Sequence, residues 1–279
     1  MSPLQSAAPG KRLLVVSSYV ARGTVGLQAT LPALTQAGFE IIAIPTIVLS
    51  NHPAHKASAG TPLDPHVLLK MIDSLDTNGW LHGVSAIMTG YLPTAEHATW
   101  ASQTVSRVKA LNPKAIYVAD PVLGDDPEGL YVGRDVAEAI RDLLIPLADV
   151  ATPNRFELSW LTGQTVEDET SAIAAARKLA VPVVAATSIP RGNHELANVI
   201  ITASKVATAV TRKIRDAPHG TGDCFSGLLL CELLNNQPHS AAIETATAAV
   251  ENILAHSRGM DYLKFSSPAR MASGLPDRS

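Results

Sequence analysis

The chain has 279 residues, 46% of them hydrophobic and 17% charged, enough apolar material for one large α/β domain or two small ones. Its 22 Lys and Arg against 25 Asp and Glu give a formal net charge of -3 without any basic run that would track a phosphate backbone, so nucleic acid is not an expected partner. No stretch approaches the roughly 20 consecutive apolar residues of a membrane span, and residues 1–10 lack the basic start and apolar core of a signal peptide.

In chain order, residues 12–17 form a short apolar strand pattern, followed by a glycine-containing loop and a helical stretch over 25–37 that Gly38 closes. A second apolar run, 39–49, leads into Ser50-Asn51-His52-Pro53 and a long polar loop. The alternation then repeats: helix 65–75, strand 84–89, helix 94–111, strand 115–119, helix 135–144, a short strand at Val150, helices near Glu157 and over 170–179, and strand 181–186. Strands alternating with helices of this length predict a mostly parallel sheet covered on both faces. Residues 196–202 and 205–212 are β-rich runs joined by Ala203-Ser204, which predicts an antiparallel hairpin at one sheet edge. Helices 223–234 and 240–257 complete the pattern. With no linker and no repeat, a single domain over 11–265 is expected, flanked by tails at 1–10 and 266–279.

Cys224 and Cys231 are seven positions apart on one predicted helix, hence about 10 Å apart along its axis and too distant for a disulfide. A reducing cytoplasm is the natural compartment. His52, His55 and His66 lack metal-site spacing, and Trp80, Trp100 and Trp160 are read as helix-packing residues.

The most informative segment is His219-Gly220-Thr221-Gly222-Asp223-Cys224-Phe225-Ser226-Gly227. Its glycines permit a tight turn, and the helix behind them points free N–H groups at the loop, which favours phosphate oxygens. Asp223 in that first turn is either a cap or a base that accepts a hydroxyl proton. Asp120-Pro121-Val122-Leu123-Gly124-Asp125 and Thr152-Pro153-Asn154-Arg155-Phe156-Glu157 each follow a predicted strand. Each places acids at the carboxyl edge of the sheet, where a nucleotide's Mg²⁺ needs oxygen partners. Taken alone, either is equally readable as turn and cap chemistry. A P-loop and an N-terminal Gly-x-Gly-x-x-Gly are both absent.

Together with Ser50-Asn51-His52 and Thr89-Gly90-Tyr91, these segments resemble, in order and approximate spacing, the pyridoxal kinases of the ribokinase-like superfamily, over about residues 13–256. The resemblance implies a three-layer α/β/α ribokinase-like fold and ATP-dependent phosphorylation of the 5′-hydroxymethyl group of pyridoxal, or of pyridoxine and pyridoxamine. Asp223 would be the base, contacting the acceptor, and Gly220, Thr221 and Gly222 the anion hole, with Thr221 and Gly222 also touching the nucleotide. Asp120, Asp125, Asn154 and Glu157 would hold or orient Mg²⁺ and the triphosphate, the three acids as metal partners. Thr187 and Ser188, just past strand 181–186, would contact ATP. Ser18 and Thr46 would hydrogen-bond the vitamin ring beside Tyr91, and Tyr131 would belong to a closing flap. Because the hydroxyl proton can leave late, the base needs no raised pKa.

A homodimer is also implied, and the apolar face of 241–254 permits one; monovalent-ion activation stays open. Leu27, Val48-Leu49 and Tyr19 depart from the family pattern around the vitamin pocket. Two other readings compete: a hydroxymethylpyrimidine kinase, in which Cys usually stands at the Asp223 position, and a vitamin- or nucleotide-binding protein without turnover.

Overall fold

The computed structural model describes residues 11–214 and 216–265; both predicted tails lie outside them. Among the described residues eleven strands and eight α-helices follow in the order β1 (Arg12–Val20), α1 (Leu27–Gln36), β2 (Glu40–Leu49), β3 (Gly60–Pro62), α2 (Pro65–Thr77), β4 (Val84–Thr89), α3 (Ala95–Leu111), β5 (Ile116–Ala119), β6 (Gly124–Asp125), β7 (Gly129–Leu130), α4 (Arg134–Ala139), β8 (Val150–Ala151), α5 (Arg155–Thr162), α6 (Glu169–Ala176), β9 (Val183–Arg191), β10 (Glu195–Thr202), β11 (Val206–Arg212), α7 (Thr221–Leu234) and α8 (His239–His256). Nine strands form one sheet in the order β11-β10-β9-β8-β5-β4-β1-β2-β3. The run from β2 to β9 is parallel, whereas β3, β10 and β11 pair antiparallel at the two edges.

Side-chain alternation along the strands builds the layers. Leu14 and Val16 of β1 join Ile87, Tyr117 and Ala119 beneath Leu68, Ile72, Trp100 and Val105 of α2 and α3. Leu13 and Val15 point the other way, with Ala86, Met88 and Val118, onto Leu27 and Leu34 of α1 and Leu230 and Leu234 of α7. All are buried, each large aliphatic contributing about 1.5–3 kcal/mol of hydrophobic stabilisation. Local signals set the helix starts: the Asp64 side chain accepts from His66 N–H with Pro65 at the first position of α2, and Thr94 caps α3.

The structure departs from the sequence reading at several points. The helix expected over 135–144 is α4 followed by a wide π turn (Ile140–Leu144) and a tight 3-10 turn (Ile145–Leu147), where Pro146 has no N–H to continue an α-helix. Strand β9 runs to Arg191 rather than stopping at 186, because β10 pairs along it; β8 flanks only its start, so Pro190 interrupts no parallel ladder. The apolar face of α8, which the sequence reading took to permit a partner, packs Ala242, Ile243 and Ala246 into the chain's own core against Phe225 and Leu228. Trp100 is buried and Arg141 lies 5.6 Å over the Trp160 ring, but Trp80 is 50% exposed just past the end of α2.

Candidate active site

The parallel strands end side by side, and their carboxyl ends carry the candidate residues. Backbone bonds staple successive strand ends together: Gly90 N–H donates to Val16 O, Asp120 N–H to Thr89 O and Thr152 N–H to Ala119 O. Ser17 and Ser18 at β1, Gly90 and Tyr91 after β4, Asp120 after β5 and Thr152 after β8 are therefore neighbours. Opposite them stands the first turn of α7. It starts at Gly220 in a left-handed conformation (φ 95°) with no side-chain cap, so its leading N–H groups have no side chain closing them off. A Cβ on Gly220 would lie 1.8 Å from the Thr24 carbonyl oxygen, whereas one on Gly222 would meet nothing within 4 Å. The loop is pressed against the chain at one glycine and open at the other.

Asp223 lies in that turn. Its Oδ1 is 3.8 Å from the place a Cβ on Gly90 would occupy, and Gly26 N–H donates to its carboxylate. Burial pushes its pKa up from an ordinary 3.8 to about 6 despite that donor, a shift that the sequence reading did not require. Asp120 is buried, and its pKa is raised by desolvation and then by the charges of Asp223 and Glu157, against the lowering influence of the Ser226 and Thr152 hydroxyls. Ser226 Oγ in turn donates to Thr152 Oγ1 at 2.8 Å. Glu157 is buried and shifted by desolvation to about 7. Its two oxygens accept from Leu123 N–H and Asn154 N–H, both at 2.8 Å.

Three carboxylates thus share one small volume. The sequence could name them but could not show that they act on one another.

Asn154 has two local tasks: it closes a capping box with Glu157 on α5 and donates to Gly124 O at 2.8 Å. The turn-and-cap reading therefore applies to it. Asp125, half-buried on the β6–β7 hairpin, has its pKa raised by burial and accepts from Asp126 N–H. Tyr131 follows that hairpin and is 53% exposed.

Thr187 and Ser188 lie within β9, not beyond it; Thr187 N–H donates to Pro153 O and bridges to Asn154. Ser188 adopts φ 58° and donates its N–H to Asn198 Oδ1, while Asn198 Nδ2 donates to Thr247. Ser18 is buried beside Gly26. Thr46 is fully buried, with its hydroxyl donating to Tyr91 O at 2.8 Å, so it fixes Tyr91. Of the departures from the family pattern, Leu27 faces the core, while Tyr19 and Val48 are partly exposed and adjacent across β1 and β2.

The sequence reading missed several contributors. Gly26 and Ser226 stood inside noted segments, but nothing in their spacing reveals a bond to an aspartate. The His52 ring stacks on His219 with centroids 4.0 Å apart and planes at 18°, joining two loops far apart in sequence.

Among the described residues no cluster of three or more His, Cys, Asp or Glu is placed to hold a metal ion by itself. One observation nevertheless suits Mg²⁺: Asp120 Oδ2 is buried without a hydrogen-bond partner. Mg²⁺ commonly takes one or two carboxylates, with phosphate and water completing its shell, and this donor set fits such a nucleotide-borne ion.

A parallel sheet with acids at its carboxyl ends, facing an uncapped Gly-Thr-Gly-Asp helix start, defines a ribokinase-like small-molecule kinase. A family model described as phosphomethylpyrimidine kinase matches residues 21–268. The pyridoxine/pyridoxal/pyridoxamine kinase of Bordetella avium is 34% identical, over 94% of this chain and 92% of that protein. Pyridoxal kinase PdxY of Deinococcus radiodurans is 30% identical, over 88% of this chain and 86% of its own length. Among solved structures, pyridoxal kinase from Leishmania donovani in complex with ADP and pyridoxamine superimposes with a TM-score of 0.84 at 30% identity, covering 89% of this chain and 88% of that one. Pyridoxal kinase from Entamoeba histolytica gives 0.85 at 28% identity, covering 91% and 92%. The chain belongs to the pyridoxal kinase family.

Proposed function

We propose that this chain transfers the γ-phosphoryl group of ATP to the 5′-hydroxymethyl group of pyridoxal and its vitamers, pyridoxine and pyridoxamine, giving the 5′-phosphate. The observation that carries this reading is Asp223 beside the uncapped start of α7, a base and an anion cradle on one turn. Asp223 takes the proton of the attacking hydroxyl, and the N–H groups of Gly220, Thr221 and Gly222 receive charge on the migrating phosphoryl group. Asp120, with Asp125 and Glu157 around it, is suited to hold Mg²⁺, which when bound offsets triphosphate charge. Asn154, Thr187 and Ser188 line the nucleotide side. Ser18 and Tyr91, the latter fixed by Thr46, wall the acceptor pocket, and Tyr131 covers it.

The rival pyrimidine kinase places a cysteine at the Asp223 position; here Cys224 is one place later, buried, with its thiol pushed far up by desolvation. A binding protein without turnover has no use for a base. A panel of pyridoxal, pyridoxine, pyridoxamine and hydroxymethylpyrimidine with ATP and Mg²⁺ should release ADP with the vitamers. ADP release with the pyrimidine alone, or with none, would overturn the reading.

A homodimer and a cytoplasmic location belong to the same proposal. Light scattering should report twice the chain mass, and Cys224 and Cys231 are free and buried, as suits a reducing compartment. No helix among the described residues is long and apolar enough to cross a membrane.

Asp120→Asn separates binding from stability. It removes a carboxylate that burial and its neighbours disfavour, so the variant should melt no lower than the parent at pH 8. Turnover should nevertheless fall about 10–100-fold as the Mg²⁺-nucleotide loses a partner. Thermal melting and steady-state kinetics on one preparation read both.

A further inference from the structure

The loop between β1 and α1 touches the transfer site twice. The Thr24 carbonyl oxygen lies where any side chain on Gly220 would have to go, and Gly26 N–H donates to the Asp223 carboxylate. Thr30 Oγ1 reinforces this, lying 3.1 Å from Gly26 O and 3.3 Å from Asp223 O. A residue that places this loop therefore places the base and the anion cradle together.

The same loop is held from outside by the segment after α8. Leu263 N–H donates to Thr24 Oγ1 at 2.6 Å. The Leu263 side chain is buried among Cys224, Phe225 and Leu228 of α7, the helix that carries Asp223. Lys264 N–H donates to the buried Ser257 hydroxyl at the end of α8, anchoring the segment at its other side. Two residues earlier, Arg22 makes a bidentate pair with Asp261 at 2.7 and 3.0 Å. Arg22 N–H also donates to Ser50 O, tying in the loop after β2. The ion pair is exposed and worth little alone; the buried leucine and its amide give the segment a fixed purchase.

We propose that residues 261–263 act as a strap that sets the catalytic geometry through Thr24, making Thr24 and Leu263 positioning residues for phosphoryl transfer. The strap spans from the far end of the chain to the β1–α1 loop and reaches the reacting groups through that loop's backbone and through the packing of Leu263 on α7. This rests on the roles given above to Asp223 and Gly220.

Thr24→Val keeps the shape but removes the acceptor of the Leu263 amide; Thr24→Ser restores it. Small displacements of catalytic groups are costly in rate, so Thr24→Val should lower kcat about tenfold while KM for ATP and for pyridoxal stays within twofold. Thr24→Ser should recover most of the rate. Thr211→Val, which removes a 2.6 Å bond from Thr211 to Glu251 between β11 and α8, is the control: a comparable drop in Tm without a change in kcat. Parental kcat in Thr24→Val, or an equal loss in Thr211→Val, overturns the strap. Should Asp223→Asn retain turnover, the transfer site itself is wrongly placed; should it be inactive while Thr24→Val is unaffected, only the strap fails.

Discussion

Asp223→Asn should fold, melt at least as high as the parent at pH 8, and turn over about 10²–10⁴-fold more slowly, the range a positioned general base contributes. The stability half follows from the sign of its shift. An acid whose folded-state pKa stands at about 6 against an ordinary 3.8 is bound to its proton more tightly when folded, so stability is lost as pH rises from 3.8 through about 6. Asparagine carries no such loss, and its advantage is complete above about pH 6. The parent's rate should show the complementary limb, falling as pH drops below about 6 and the base becomes protonated. Calorimetry and a pH series of kcat test these together. A variant retaining parental turnover would remove Asp223 from the chemistry.

Gly222→Ala and Gly220→Ala should part company, although only two positions separate them. Gly222 has open space where a Cβ would stand, so alanine there should leave Tm within a degree or two. Turnover should drop about 10²–10³-fold, the usual cost of a damaged anion hole, because the methyl group occupies the space assigned to the phosphoryl oxygens. At Gly220 the Cβ would enter the Thr24 carbonyl and the backbone would stay left-handed, adding about 1–2 kcal/mol for the conformation and about 1–3 kcal/mol for the clash. That variant should lose stability and activity together. If Gly222→Ala turned over normally, the phosphoryl group would have to travel elsewhere.

Much of this was readable from residue patterns. Strand 84–89 and helix 94–111 came out almost to the residue, because a short apolar run and Thr94 mark their boundaries. The two acidic segments after β5 and β8 were recognisable because each follows a strand, and parallel strands must end on the same side, whereas Asp223 was marked by the glycines that open its helix. Elements of two or three residues, β3, β6 and β7, are too short to show a period. Ser188 was assigned past a strand end because nothing local reveals that β10 will pair there. The shifts on Asp120, Glu157 and Asp223 were invisible for a related reason, since burial and mutual repulsion arise only when distant segments meet. The contact of Leu263 with Thr24 crosses nearly the whole chain and has no local signal.

The His52–His219 stack bears on how the reaction ends. Burial, and then the neighbouring histidines, push the His52 pKa down to about 4, so near neutral pH this imidazole carries no positive charge beside the glycine loop. A cationic ring there would grip a newly made phosphate ester and slow its escape. An uncharged His52 ring offers the departing dianion no ion pair of its own.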